Sequence, residues 1–168
     1  LLPGLEAKVE AVPGIERGGL LSVRGPNVML GYYLHDAPGV LQLPAEGWYS
    51  TGDVVEIDPD GFVSILGRVK RFAKVAGEMV SLESVEQMAT LASPAGQHAA
   101  TTQADPQRGE NILLYTTDTD LNREALQAAA RYLGNTELAI PRKIVTVKKL
   151  PLLGTGKTDY LTLKQMAE

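Results

Sequence analysis

The sequence predicts an α+β protein, with a β-rich segment over residues 1–69 and a small C-terminal domain of mixed sheet with packed helices over residues 70–168. Three observations carry this reading. Leu5, Ala7, Val9 and Ala11 alternate with Glu6, Lys8 and Glu10, the period of two that a half-buried strand imposes. Residues 54–57 and 62–66 flank Asp58-Pro59-Asp60-Gly61, where Pro presets φ and Gly supplies positive φ, so a hairpin is expected. Beyond Glu83, apolar stripes at helical spacing alternate with short apolar runs, which is the pattern of a βα-alternating unit.

Taken in order, the first strand ends at Pro13-Gly14, and a second apolar run over 19–23 stops at Gly25-Pro26. Residues 27–52 are rich in Gly, Pro and aromatics and are expected to be packed loops. The hairpin follows. After Gly67 the composition shifts: Arg68, Lys70, Arg71 and Lys74 form a basic, turn-like stretch ending at Gly77, and the domain boundary is placed here. A helix is predicted from Glu83, with Val85, Met88, Ala89 and Ala92 on one face. Strands are predicted near 97–103 and 111–117. A second helix runs from Asn122, a good N-cap, to Gly134, a good C-cap, with Leu126, Ala129, Ala130 and Leu133 as its apolar stripe. A strand over 143–147 leads into the Gly-rich segment 151–157, and a short helix is expected over 161–167.

Composition narrows the function classes. Sixteen Lys and Arg against twenty Asp and Glu give a net charge of -4, the reverse of the basic face that phosphate contacts in a nucleic-acid binder require. With no Cys there is no disulfide, thiolate metal site or cysteine nucleophile, and the two isolated histidines, His35 and His98, do not make an ordinary zinc site. No apolar run approaches the ~18 residues of a membrane span. The chain begins Leu1-Leu2 without Met, and a piece of a longer protein is expected.

Four segments carry candidate chemistry. Gly154-Thr155-Gly156-Lys157-Thr158 invites a phosphate-loop reading, but Pro151 stands where that motif needs its first Gly, and Pro has no N–H to offer a phosphate. What survives is one lysine on a Gly-hinged loop, either solvated or delivering a single cation to a site elsewhere. Asp58-Pro59-Asp60-Gly61 lacks the acidic residue that closes a calcium loop, since Gly67 occupies that place, and is read as a hairpin turn. Ser50-Thr51-Gly52-Asp53 puts a carboxylate on a loop entering a strand, as a turn cap or as an acceptor for two ribose hydroxyls. The charged connector from Gly67 through Glu78 reads as a solvated linker or as a hinge whose Arg and Lys reach an anion.

Together and in this order, residues 18–33 (GGLLSVRGPNVMLGYY), 47–53 (GWYSTGD), 67–86 (GRVKRFAKVAGEMVSLESVE) and 151–157 (PLLGTGK) resemble the final motifs of the adenylate-forming enzymes, the superfamily of acyl-CoA synthetases, luciferases and peptide-synthetase adenylation domains. The resemblance covers essentially the whole chain. It implies the last strands of a large domain followed by a complete, mobile small domain that rotates between two half-reactions. In the first, a carboxylate and ATP give an acyl-adenylate and pyrophosphate; in the second, a thiol takes the acyl group. By position, Asp53 would hold the ribose hydroxyls of ATP or AMP, and Arg68 would contact the same ribose or the phosphates. Lys70 would be the hinge, Lys157 the adenylation lysine, and Gly77 would line the pantetheine tunnel. The resemblance also implies Mg²⁺, with its ligands upstream of the residues given, together with the phosphate-binding loop, the adenine pocket and the acyl tunnel.

Residues 71–83 and the ending Leu-Pro-Leu-Leu-Gly-x-Gly-Lys are more closely similar to one bacterial branch, which joins an acyl–acyl-carrier-protein synthetase to a 2-acylglycerophosphoethanolamine acyltransferase. That likeness implies acyl carrier protein with its phosphopantetheine as partner, fatty acid and lysophospholipid as substrates of the parent, and an inner-membrane parent with this part on the cytoplasmic side. Arg71 and Lys74 would then contact the carrier protein. Arg71 departs from the wider superfamily, where an acidic residue is common, and Ser81-Leu82 stands where acyl-CoA synthetases commonly have Pro before Glu. An acyl-CoA synthetase and a carrier-docking module without chemistry are the competing expectations.

Overall fold

The computed structural model describes residues 2–168, and the chain divides into two compact units, Leu1–Lys70 and Arg71–Glu168.

In the first unit, β1 (Glu6–Glu10) and β2 (Gly19–Arg24) pair antiparallel. A two-residue ladder of β3 (Tyr32–Tyr33) with β4 (Leu41–Gln42) follows, and then β5 (Tyr49–Ile57) and β6 (Val63–Arg68) complete a four-stranded antiparallel sheet of order β1-β2-β5-β6. Val54 and Val55 at its centre are fully buried. Two expectations need correction. Residues 27–52 are not packed loops throughout: Leu30, Tyr33 and Leu43 are exposed, and strand structure resumes at Tyr49. The hairpin strand thus begins five residues earlier than its apolar run, because the polar Ser50-Thr51-Gly52-Asp53 is carried inside β5 next to register shifts. A β-bulge tolerates a Gly at positive φ, and Gly52 has φ +77°.

The second unit opens with β7 (Phe72–Val75) and β8 (Glu78–Ser81), an antiparallel hairpin where the sequence suggested a turn-like connector. Val75 and Glu78 face one another, so the turn is the two residues Ala76 and Gly77, both at positive φ (+53° and +92°), the primed-turn geometry that matches strand twist. Then come α1 (Leu82–Ala92), β9 (His98–Asp105), β10 (Gly109–Thr116), α2 (Arg123–Leu133), β11 (Lys143–Thr146) and α3 (Tyr160–Met166). Strand β10 is the centre: it pairs antiparallel with β9 along its length, parallel with β11, and through Gly109 with Val75 of β7.

Sequence explains why β10 sits there. Ile112-Leu113-Leu114-Tyr115 is apolar at every position, as a strand covered on both faces must be. Ile112 and Leu114 enter a core with Leu82, Val85, Met88 and Ala89 of α1 and Leu126, Ala129 and Ala130 of α2. Leu113 and Tyr115 point the other way, into a smaller cluster with Ala99, Leu150 and Leu163 of α3. The start of α1 is capped by Ser81, which accepts from Ser84 N–H. The ends of α2 follow the predicted capping: Asn122 accepts from Ala125 N–H at 3.0 Å. Gly134 adopts the left-handed conformation, φ +71°, that closes α2. Leu133 lies in the last turn and remains 42% exposed, so the buried stripe of α2 ends at Ala130.

Candidate functional site

Each unit contributes its own group of candidate residues. In the first, Asp53 lies within β5 rather than on a loop, directly opposite Arg68 of β6. Arg68 Nε stands 2.8 Å from Asp53 Oδ1, with side-chain exposures of 61% and 21%. The backbone behind the carboxylate is fixed by Thr51, whose hydroxyl donates to Leu21 C=O at 3.0 Å and accepts from Asp53 N–H at 3.0 Å. The pair is an ion pair at the surface, and no other carboxylate is ion-paired with Arg68 among the described residues. A positioned, partly exposed carboxylate suits a hydroxyl donor, and an exposed guanidinium suits a phosphate.

In the second unit, Lys157 lies on a loop closed at its base. Leu152 bridges Thr158, Leu153 N–H donates to Lys157 C=O at 2.8 Å, and Gly156 N–H donates back to Leu153 C=O at 2.8 Å. Asp159 N–H donates to Pro151 C=O at 2.9 Å, tying the exit of the loop to its entrance. Gly156 has positive φ (+82°) and Gly154 does not, so the loop is a defined turn with one left-handed residue rather than a double-glycine hinge. Asp159 caps α3 by accepting from Leu161 and Thr162 N–H, both at 3.1 Å, and from the Thr162 hydroxyl at 2.7 Å. Those Thr162 bonds hold its carboxyl below the ordinary carboxylate value. Lys157 itself is exposed and forms no ion pair among the described residues.

Lys70 sits in a 3₁₀ turn over Val69–Arg71, exposed, at the junction of the two units. Short 3₁₀ segments are frequent connectors. Gly77 is at the exposed tip of the β7–β8 turn, with nothing within 4 Å of where a Cβ would lie. Lys74 is exposed on β7, and only its backbone N–H is engaged, by Glu110 at 2.7 Å.

Arg71, expected as a carrier-protein contact, is largely enclosed. Its side chain is 14% exposed, and Nη2 donates to Glu86 Oε1 at 2.6 Å while Nη1 donates to Ala100 C=O at 2.9 Å. Its guanidinium carbon lies 3.7 Å from the centre of the Tyr160 ring. Two of its five N–H donors are thus spent inside the domain and one face of the guanidinium is covered. The sequence reading did not single out Glu86 or Tyr160. No local pattern marks them, because the cluster is assembled from positions 71, 86, 100 and 160. The Asp58 carboxylate accepts from Asp60 and Phe62 N–H at 3.0 and 2.9 Å, as a hairpin turn requires, and is spent there. Among the described residues no three His, Asp or Glu side chains are grouped to hold a metal ion.

No protein-family model matches the chain. Comparison with individual proteins gives the class: the chain belongs to the adenylate-forming superfamily. It is 32% identical over 157 residues (92% of the chain) to 2-hydroxy-7-methoxy-5-methyl-1-naphthoate–CoA ligase of Streptomyces carzinostaticus. It is also 32% identical over 149 residues (88%) to enterobactin synthase component E of Escherichia coli strain K12. Among solved structures it is similar to o-succinylbenzoate CoA synthetase of Bacillus subtilis in complex with its acyl-adenylate, with a TM-score of 0.78 and 25% identity over 97% of the chain. The chain spans 28% of the length of each of the two sequence relatives and 34% of that structure. The fold matches the C-terminal part of such enzymes.

Proposed function

We propose that the chain is the C-terminal part of an ATP-dependent, AMP-forming ligase, with residues 1–69 ending its large domain and residues 70–168 forming a mobile C-terminal domain. The observation that carries this is the pairing of two separate charge groups with the superfamily likeness. Asp53–Arg68 pairs a partly exposed carboxylate with an exposed guanidinium, and Lys157 is an exposed cation with no ion pair among the described residues, on a loop closed by backbone hydrogen bonds. ATP supplies the adenylyl group when bound. Asp53 would accept from the ribose hydroxyls and Arg68 would reach the ribose or phosphates. Lys157 would place fixed positive charge where negative charge builds during attack on the α-phosphate. Loss of one such group costs about 10²–10³ in rate. Lys70, in its 3₁₀ turn, would be the hinge, and Gly77, at an open tip, would leave room for a pantetheine arm. The residues given fit the nucleotide's ribose and phosphates, whereas nothing among those described fits Mg²⁺.

We further propose the finer branch: a long-chain fatty acid–[acyl-carrier-protein] ligase within a lysophospholipid acyltransferase at the bacterial inner membrane, this part lying on the cytoplasmic side. The similarity of residues 71–83 and 150–157 to that branch supports it. Lys74 remains an exposed cation for a carrier-protein contact, whereas Arg71 does not. Free CoA as acceptor is the second reading, favoured by a relative and a solved structure that are named as CoA ligases. The test is acyl transfer by the full-length protein from radiolabelled palmitate and ATP. The branch reading expects label on holo-acyl carrier protein and onward on lysophosphatidylethanolamine, and label on CoA alone would overturn it.

A further inference from the structure

The cluster around Arg71 joins the two parts of the second unit whose positions matter most to the proposed chemistry. Arg71 is the first residue of the second unit, and Tyr160 is the first residue of α3, three positions beyond Lys157. Glu86 of α1, with its side chain 16% exposed, sits between them. Its Oε1 accepts from Arg71 Nη2 at 2.6 Å and from Ala100 N–H at 2.7 Å, and its Oε2 accepts from the Tyr160 hydroxyl at 3.1 Å. The Tyr160 ring covers the Arg71 guanidinium at 3.7 Å, a cation–π contact. Burial first, and the Glu86 charge second, raise the Tyr160 phenol above its ordinary value, so it stays protonated and keeps donating.

From Tyr160 back to Lys157 every step is bonded. Asp159 N–H is held by Pro151 C=O, Thr158 bridges Leu152, and Lys157 C=O accepts from Leu153. Meanwhile the rest of α3 is anchored independently. Leu163 is fully buried, Lys164 Nζ donates to the Thr102 C=O and hydroxyl at 3.0 and 2.6 Å, and Gln103 donates to Ala167 C=O at 2.6 Å. Loss of the Tyr160 contacts therefore frees the loop end of α3 without releasing the helix.

We propose that Arg71, Glu86 and Tyr160 are positioning residues that fix the Lys157 loop against the start of the domain, so that the lysine amino group is delivered in one register. The inference rests on the adenylation role proposed for Lys157. A displacement of about 1 Å at a reacting group can cost as much as 10²-fold in rate, so a loosened loop should be felt in adenylation only. The experiment compares Tyr160→Ala, Tyr160→Phe and Lys157→Ala in the full-length protein. It measures ATP–pyrophosphate exchange, thioester formation from supplied acyl-adenylate, and amide hydrogen exchange over residues 151–159. Tyr160→Ala is expected to lower kcat for pyrophosphate exchange about tenfold with little change in KM for ATP. Transfer from the supplied adenylate should stay within about twofold, and the loop amides should exchange faster. Tyr160→Phe keeps the ring over Arg71 and should restore most of the rate. If Tyr160→Ala leaves adenylation and loop protection unchanged while Lys157→Ala abolishes adenylation, the positioning inference fails alone. If Lys157→Ala leaves adenylation intact, the reading of Lys157 fails and the inference falls with it.

Discussion

Arg68 and Arg71 are three residues apart and belong to one basic stretch in the sequence, yet they lie in different units and do opposite things. Arg68 is 61% exposed and gives one nitrogen to one carboxylate. Arg71 is 14% exposed and spends its guanidinium on Glu86, the Ala100 carbonyl and the Tyr160 ring. A charge is available to a ligand only when the fold leaves its donors unsatisfied in water's reach. A charge enclosed with its partner instead becomes a structural element that is expensive to break.

The largest expected contrast is in stability. Arg71→Ala leaves Glu86 desolvated and without its cation, and should destabilise the second unit by about 3 kcal/mol. Arg68→Ala removes an exposed pair, with an expected cost under about 1 kcal/mol. Urea unfolding of both variants measures this, and equal losses would erase the distinction. The order reverses for ligand binding. Arg68→Ala should weaken AMP binding to the full-length protein about tenfold, the scale of one charge-assisted hydrogen bond. Calorimetry should find Arg71→Lys binding AMP normally, although lysine cannot reproduce the planar, stacked fork and the variant should still lose stability.

A smaller effect tests the hairpin that follows Arg71. Ala76 holds φ +53°, a conformation that costs an L-residue about 1 kcal/mol, so Ala76→Gly should raise the thermal midpoint slightly rather than lower it. The smallest concerns pH at the other end of the cluster. The folded Asp159 carboxyl lies below its unfolded value, so its contribution is full above the unfolded value and is lost as pH falls through the folded one. Protection of the α3 amides, relative to their intrinsic exchange at the same pH, should therefore fall below about pH 4, and Asp159→Asn should blunt that change.

The same pair shows how far the sequence could be read. Elements with a strong period were legible: the Asp58–Gly61 hairpin, the α1 and α2 stripes, both caps of α2, and the continuous apolar run of β10. The β7–β8 hairpin was hidden, because Arg71 and Lys74 made it look solvated and its inward residues include the small Ala73. Its turn is Ala-Gly rather than the Asn-Gly that announces a primed turn. The start of β5 was hidden for a related reason, since a bulge carrying Ser50-Thr51-Gly52-Asp53 has no alternation to detect. Motif order singles out positions 53, 68 and 157. It does not single out Glu86 and Tyr160, which meet across 74 residues of chain that no local pattern encodes.

The role proposed for Lys157 is confined to the first half-reaction. The direct measurement is a pair of assays on Lys157→Ala in the full-length protein: ATP–pyrophosphate exchange, and thioester formation from synthetic acyl-adenylate. An interaction made only in the first transition state should cost that step about 10²–10³ and leave the second nearly untouched. A similar fall in both assays, with the fold intact by circular dichroism, would contradict it.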